Sequence, residues 1–216
     1  MFEPRRYIYV TRYLRERGIP YTVPDSLDEL RSTDIVYTDN YSVHRDIADR
    51  VYKVVYNREC SRKSIEKAIL ALRDREEYNL VSIGVDPGSE YTVVIICDGE
   101  VVEWRHIGSK EEAIEYIVEA IEGFPSRNYE VKIGMGGDGV LLAGLVKERL
   151  GSRATVEVVD ESESSPRGPW RNPFIEKMLV KRDRRVAKKR DVYAAITIAL
   201  KKGVLVDTSV KNRDSI

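Results

Sequence analysis

The chain has 216 residues, with 36 Lys+Arg balancing 36 Asp+Glu and only 2 His. That length suits one large domain or two small ones. Hydrophobic residues make up 42% of the chain, enough for a core, so a charged content of 33% does not put it in the disordered class. No apolar run reaches the roughly 18 residues of a membrane-spanning helix, and the N-terminal MFEPRRYIYVTRYLRERG lacks the apolar h-region of a signal peptide. Two cysteines, Cys60 and Cys97, make neither a disulfide framework nor a zinc site. The chain has no Gln, few Asn and many Arg, Glu and Lys, a bias that fits a heat-adapted intracellular protein, with the cytoplasm as the expected compartment.

Zero net charge hides an asymmetry. Residues 1–77 carry 15 basic and 14 acidic side chains, residues 78–166 carry 7 and 17, and residues 167–216 carry 14 and 5. An acidic centre that holds cations beside a basic surface for phosphates has this pattern. So does a solvated surface whose opposite charges neutralise one another.

In chain order, Tyr7, Val10 and Leu14 recur at helical spacing. Tyr21–Val23 reads as a short strand ended by Pro24, and Asp25 as the cap of a short helix, Ser26–Leu30. Asp34–Thr38 predicts a strand, His44–Val51 a helix and Val54–Tyr56 a third strand. Ser61 is placed to cap a helix whose apolar face is Ile65, Ile69 and Leu72. Strands alternating with helices imply a small parallel sheet, and the cluster Arg73–Glu77 marks a domain boundary. The first domain is therefore expected at 1–77 and the second at 78–216.

The second domain opens with the apolar run Leu80–Val85, the turn Asp86-Pro87-Gly88-Ser89 and the strand Tyr91–Cys97. Asp98-Gly99 is a type I′ hairpin signal, and Glu100–His106 alternates Val102, Trp104 and His106. Ser109 precedes a helix with Ile114, Ile117, Val118 and Ile121 on its buried face. Glu130–Ile133 is a strand and Gly134–Gly139 a loop of four glycines. Val140–Leu150 is a helix and Thr155–Val159 a strand. A loop containing Pro166, Pro169 and Pro173 leads to a basic helical stretch and a last helix near Lys189–Lys201. The order β-β-β-α-β-α-β-α, an antiparallel meander feeding parallel strands, predicts an α/β fold with a ribonuclease H-like mixed sheet. A doubly wound nucleotide-binding sheet would not begin with a meander.

Four acids lie where such a sheet keeps its chemistry. Asp86 ends the first strand, at the carboxyl edge where open α/β sheets place sites; as part of Asp-Pro-Gly it is equally an ordinary turn residue. Glu161, beside Asp160, follows the fifth strand. Asp138 stands in the glycine loop as a ligand or as a plain helix N-cap. Asp191 opens DVYAAITIAL, whose Ala194-Ala195 pair suggests close packing on the sheet; in a first helical turn it also suits the helix dipole. Converging carboxylates without Cys or His point to Mg²⁺ or Mn²⁺. Two such ions activate water and stabilise the leaving oxygen of a phosphodiester.

IGVDPGSEYTVVII resembles the opening strand pair of the RuvC and YqgF (RuvX) nucleases of the ribonuclease H-like superfamily. VVDES resembles the Asp-Glu-Arg motif of the YqgF branch, with Ser162 in place of its Arg. GMGGDG resembles that branch's loop after the fourth strand, and RDVYAAITIAL the closing helix of both. The resemblance covers about residues 79–202. It implies a metal-dependent endonuclease with two Mg²⁺ or Mn²⁺ ions on Asp86, Glu161 and Asp191, Asp138 being the extra or alternative ligand. Branched DNA or structured RNA would be the substrate. Where RuvC resolvases carry a Glu at the end of the fourth strand, this chain has Gly134, and the first 77 residues match neither family.

The basic run Arg167, Arg171, Lys177, Lys181, Arg182, Arg184, Arg185, Lys188, Lys189 and Arg190 precedes Asp191 and suits phosphate binding with little base preference. Trp170 and Phe174 within it are placed either to stack on an unpaired base or to anchor the loop. His44 and His106 read as structural. In the first domain, Arg5, Arg6, Arg12, Arg15 and Arg17 suit nucleic-acid contact, Asp34 and Asp39 suit a separate strand-end site, and dimerisation or partner binding is the commoner role of such a domain. Cutting two strands of a junction needs a symmetric homodimer; RNA processing does not, and no membrane partner is expected. The alternative is a non-catalytic nucleic-acid-binding or scaffold protein on the same fold. An actin-like ATPase, which needs two copies of the fold, is disfavoured by the one copy visible.

Overall fold

The structure is a computed structural model and describes residues 3–160 and 190–206. Its contacts divide the chain into two units, Met1–Tyr78 with Glu122–Pro125, and Asn79–Ile121 with Ser126–Ile216.

In the first unit, helix α1 spans Pro4–Glu16. Pro4 lies at its start, where a missing N–H costs nothing, and the Glu3 carboxylate accepts from the N–H groups of Arg5 and Arg6. Strands β1 (Ile35–Thr38) and β2 (Lys53–Tyr56) pair in parallel. They are connected through α2 (Tyr41–Ile47), capped by Asn40, and followed by α3 (Arg62–Ala71), capped by Ser61. Val10, Tyr13, Cys60, Ile65 and Ile69 form the core. Within it the fully buried Glu66 carboxylate accepts from the Tyr13 hydroxyl at 2.7 Å, from Arg17 Nε at 2.9 Å and Nη2 at 3.2 Å, and from the Tyr78 hydroxyl. A buried charge is tolerable when its lone pairs are met this way. Burial pushes the Tyr13 phenol up, and the adjacent Glu66 carboxylate adds to the shift.

Four local expectations fail here. The helix expected at His44–Val51 runs Tyr41–Ile47 instead, because the Asn40 side chain caps it three residues earlier. Tyr21–Val23 forms no strand, because an extended segment needs a ladder partner and Pro24 ends it after three residues. The expected helix Ser26–Leu30 is one 3-10 turn, Leu27–Glu29, capped by Ser26 rather than Asp25. Leu72 is the C-cap of α3 and is exposed, not part of its apolar face. The parallel sheet accordingly has two strands.

The second unit is α/β with a mixed six-stranded sheet in the order β5-β4-β3-β6-β7-β8. Here β3 is Tyr78–Pro87, β4 Tyr91–Cys97, β5 Glu100–Ile107, β6 Ser126–Gly134, β7 Thr155–Val159 and β8 Val204–Leu205. The meander β3-β4-β5 is antiparallel, and β6 and β7 are parallel. Asp98 and Gly99 both have positive φ, 47° and 82°, as the tight hairpin between β4 and β5 demands. Helices α4 (Lys110–Gly123) and α5 (Gly139–Leu150) precede and follow β6, and α6 (Arg190–Leu200) closes the described part of the unit before β8. Strand β8, antiparallel to β7, was not expected from the sequence; two residues carry no readable period.

The two faces separate by alternation. Val94, Ile96 and Val101, with Trp104, pack against Val192, Ala195, Ile196 and Ala199 of α6. On the opposite face Arg105 lies over the Tyr116 ring and Glu103 accepts from the Tyr116 hydroxyl at 2.7 Å, which sets α4 there. A register shift at Ile95/Ile96 brings Val101 rather than Val102 opposite Ile96. Both valines are buried, so the expected simple alternation holds only from Trp104 onward. No helix among the described residues is long and apolar enough to cross a membrane.

Candidate functional site

The contacts of α6 with β3 fix the register of the site. The Ser82 hydroxyl donates to the Ala199 carbonyl at 3.2 Å. A Cβ on Gly84 would stand 2.1 Å from the Ala195 carbonyl oxygen. Two residues along β3 thus match one turn back along α6. Continued by one more step, that register would carry Asp191 toward the level of Asp86, since a strand rises about 6.6 Å in two residues and a helix about 5.4 Å per turn. Ser82, Gly84 and Asp86 share the α6 face of β3. Asp86 is half-buried, and Asp191, in the first turn of α6, is exposed.

The ends of β3 and β6 meet at the start of α5. A Cβ on Gly139 would collide with both the Gly134 carbonyl oxygen and Pro87 Cγ, so only glycine allows this approach. Gly134 is in register with Val159 of β7, and the Met135 N–H donates to the Val159 carbonyl at 3.0 Å. Asp160, exposed, therefore emerges at this same edge of the sheet. The Gly134–Gly139 loop and the ends of β3 and β7 thus put Asp138, Asp160 and Asp86 at one edge of the sheet.

Asp138 is not the plain helix N-cap that was one of its two sequence expectations. Its side chain caps none of the α5 N–H groups. It accepts from Lys110 Nζ at 2.8 Å and from the Tyr91 hydroxyl at 2.8 and 2.9 Å. The hydrogen bond from Lys110 holds its carboxyl below the usual range, the one from Tyr91 adding to the effect. Burial, with the Asp138 contact, pushes the Tyr91 phenol up to about 12. Tyr91 is opposite Pro87 in the ladder, one residue on from Asp86, and so projects from the other face of the sheet. The Asp138 carboxylate therefore ties the glycine loop to β4 and α4.

His106 and Thr92 were not expected in the site. Asp86 pairs with Thr92 and Thr92 with His106, so all three share the α6 face in one row across β3, β4 and β5. Thr92 Oγ1 and His106 Nδ1 are 2.9 Å apart, and the Trp104 ring meets His106 edge-on at 5.3 Å. The alternation Trp104, His106 carried the signal for this face.

Glu161 and the basic residues Arg167, Arg171, Lys177, Lys181, Arg182, Arg184, Arg185, Lys188 and Lys189 lie outside the described residues, as do Trp170 and Phe174. Arg190 is exposed beside Asp191. Among the described residues no three His, Cys, Asp or Glu side chains gather as a metal-holding group. In comparisons with known proteins, the chain matches no family model and no curated protein.

Proposed function

We propose that the second unit is a ribonuclease H-like domain of the RuvC/YqgF kind and that the chain is a metal-dependent endonuclease cutting phosphodiester bonds in branched DNA or structured RNA. The strand order β5-β4-β3-β6-β7 supports the fold: a meander whose first strand is central, continued by two parallel strands. The observation that supports the function is the α6 register, Ser82 to Ala199 and Gly84 to Ala195, which, continued by one turn, would carry Asp191 toward Asp86. Their all-oxygen character suits Mg²⁺ or Mn²⁺. Asp86 and Asp191 would hold the metal, with Glu161 completing the set after β7. Bound there, a pair of such ions supplies an activated water and charge stabilisation at the leaving oxygen.

In this reading Arg190 and the basic residues before it draw the phosphate backbone to the acids, making binding strongly salt-dependent. A homodimer would present two such sites to a junction. The test is cleavage of a four-way DNA junction, a flap, duplex and single-stranded DNA, and a structured RNA, with Mn²⁺ or Mg²⁺, comparing wild type with Asp86→Asn. Cleavage lost in Asp86→Asn with binding retained supports the proposal. Equal cleavage by the variant removes Asp86 from the reaction. Tight binding with no cleavage of any substrate by wild type favours a non-catalytic scaffold.

A further inference from the structure

We propose that the ring cluster Tyr41, His44 and Tyr56 of the first unit is a stacking platform for an unpaired base of single-stranded nucleic acid. This rests on the reading of the chain as a nucleic-acid enzyme and adds a substrate feature to it.

The cluster stands at the carboxyl ends of the two parallel strands, the edge where α/β sheets place their ligands. Tyr56 is the last residue of β2, and Tyr41 is the third residue after β1, directly after the Asn40 cap of α2. Asn40 Oδ1 accepts from the N–H groups of Ser42 at 2.7 Å and Val43 at 3.2 Å, which caps the first turn of α2. The Tyr41 and His44 rings stack at 6.0 Å with 19° between their planes. Tyr56 meets Tyr41 edge-on at 5.7 Å and His44 at 5.7 Å. Nevertheless Tyr41 is 63% exposed and Tyr56 36%. One face of Tyr41 is thus backed by His44 while much of the ring remains open to solvent.

The three rings contact one another. Among the described residues His44 Nδ1 is buried with no hydrogen-bond partner, so His44 serves here through its face. A preordered aromatic surface loses little entropy when a second π-system stacks on it.

Exposed arginines flank the rings, with the exposed acids Asp46 and Glu59 beside them. Arg45 adjoins His44, is 72% exposed in its side chain and pairs with the exposed Asp46 at 3.5 Å. Arg58, exposed, follows Tyr56 by two residues. Stacking takes any base because each has a π-face, and flanking arginines track the phosphates. A base inside a duplex is already stacked on its neighbours, so the ligand chemistry is an unpaired base.

The test measures binding of labelled oligothymidylate, oligouridylate and blunt duplex to the full chain in EDTA, where no cutting intervenes. Tyr41→Ala should weaken single-strand binding about tenfold, Tyr41→Phe should stay within about twofold of wild type, and duplex binding should not change. The thymidylate and uridylate arms distinguish DNA from RNA as the source of the base. Should Tyr41→Ala fail to fold, quenching of 2-aminopurine in a single strand by wild type supplies the readout, and Tyr56→Ala should reduce it. The proposal is overturned by single-strand binding that is undiminished in folded Tyr41→Ala, by equal losses on single strand and duplex, or by absence of single-strand binding and quenching in wild type. Cleavage plays no part in this readout, so a chain that cuts nothing but binds single strands through Tyr41 sinks the nuclease proposal alone.

Discussion

Replacing Gly84 by alanine probes the packing on which the proposed site depends. The added Cβ would stand 2.1 Å from the Ala195 carbonyl oxygen, 2.7 Å from Ala199 Cβ and 3.0 Å from the Ala199 nitrogen. Comfortable separations begin near 3.5 Å, so α6 has to lift from β3 by about 1 Å. No rotamer relieves the clash, because the obstructing atoms are backbone or Cβ. Overpacking of this kind costs about 1–3 kcal/mol, and rigid backbone obstruction puts Gly84→Ala near the upper end. Asp191 moves with α6, and a misplacement of about 1 Å costs on the order of a hundredfold in rate. Urea unfolding followed by circular dichroism measures the first effect and Mn²⁺-dependent cleavage the second. Gly144→Ala is the control: its Cβ meets open space on an exposed helical position, so it should stabilise by about 0.5–1 kcal/mol. Gly84→Ala with wild-type unfolding would refute the close approach of α6 to β3 and the register argument with it.

Three further predictions concern the charged clusters. Glu66→Ala leaves the Arg17 guanidinium buried without its carboxylate and should cost about 3–5 kcal/mol in urea unfolding; a loss below about 1 kcal/mol contradicts the buried network. The Asp138 carboxyl should titrate below the ordinary value of about 4 by carbon NMR and move back up in Lys110→Met, whereas an unmoved titration would contradict the Lys110 contact. Because its pKa is depressed, the Asp138 contribution to stability is present above the ordinary aspartate value and is lost as pH falls through the folded one. Tyr91 behaves oppositely: with its phenol pushed up to about 12, its contribution is intact below about 10 and is lost as pH rises through about 12.

The elements legible in the sequence are those whose signal is local. Tyr91–Cys97 is a strand over the expected residues, Asp98-Gly99 turns as its φ preferences require, and Ser61 caps α3. The apolar run after Leu80 and the Ala-rich DVYAAITIAL likewise form β3 and α6. What escaped depends on distant partners. Tyr21–Val23 has strand-like residues and no strand to join. The Ile95/Ile96 register shift is invisible to a period of two. Asp138 looks like a cap because it precedes a helix, while its actual donors, Lys110 and Tyr91, arrive from α4 and β4. His106 had no local partner to suggest its place, yet Thr92 is directly across the ladder. The exposed rings of Tyr41 and Tyr56 belong to different elements, so only the fold brings them together.

The central claim is that Asp86 and Asp191 share a divalent cation. Mn²⁺ titration followed by electron paramagnetic resonance tests it without reference to any substrate. The account predicts binding by wild type that Mg²⁺ displaces, weakened at least about tenfold by Asp86→Asn and by Asp191→Asn separately, and unchanged by Glu119→Gln on the exposed side of α4. Undiminished Mn²⁺ binding in either aspartate variant would contradict it.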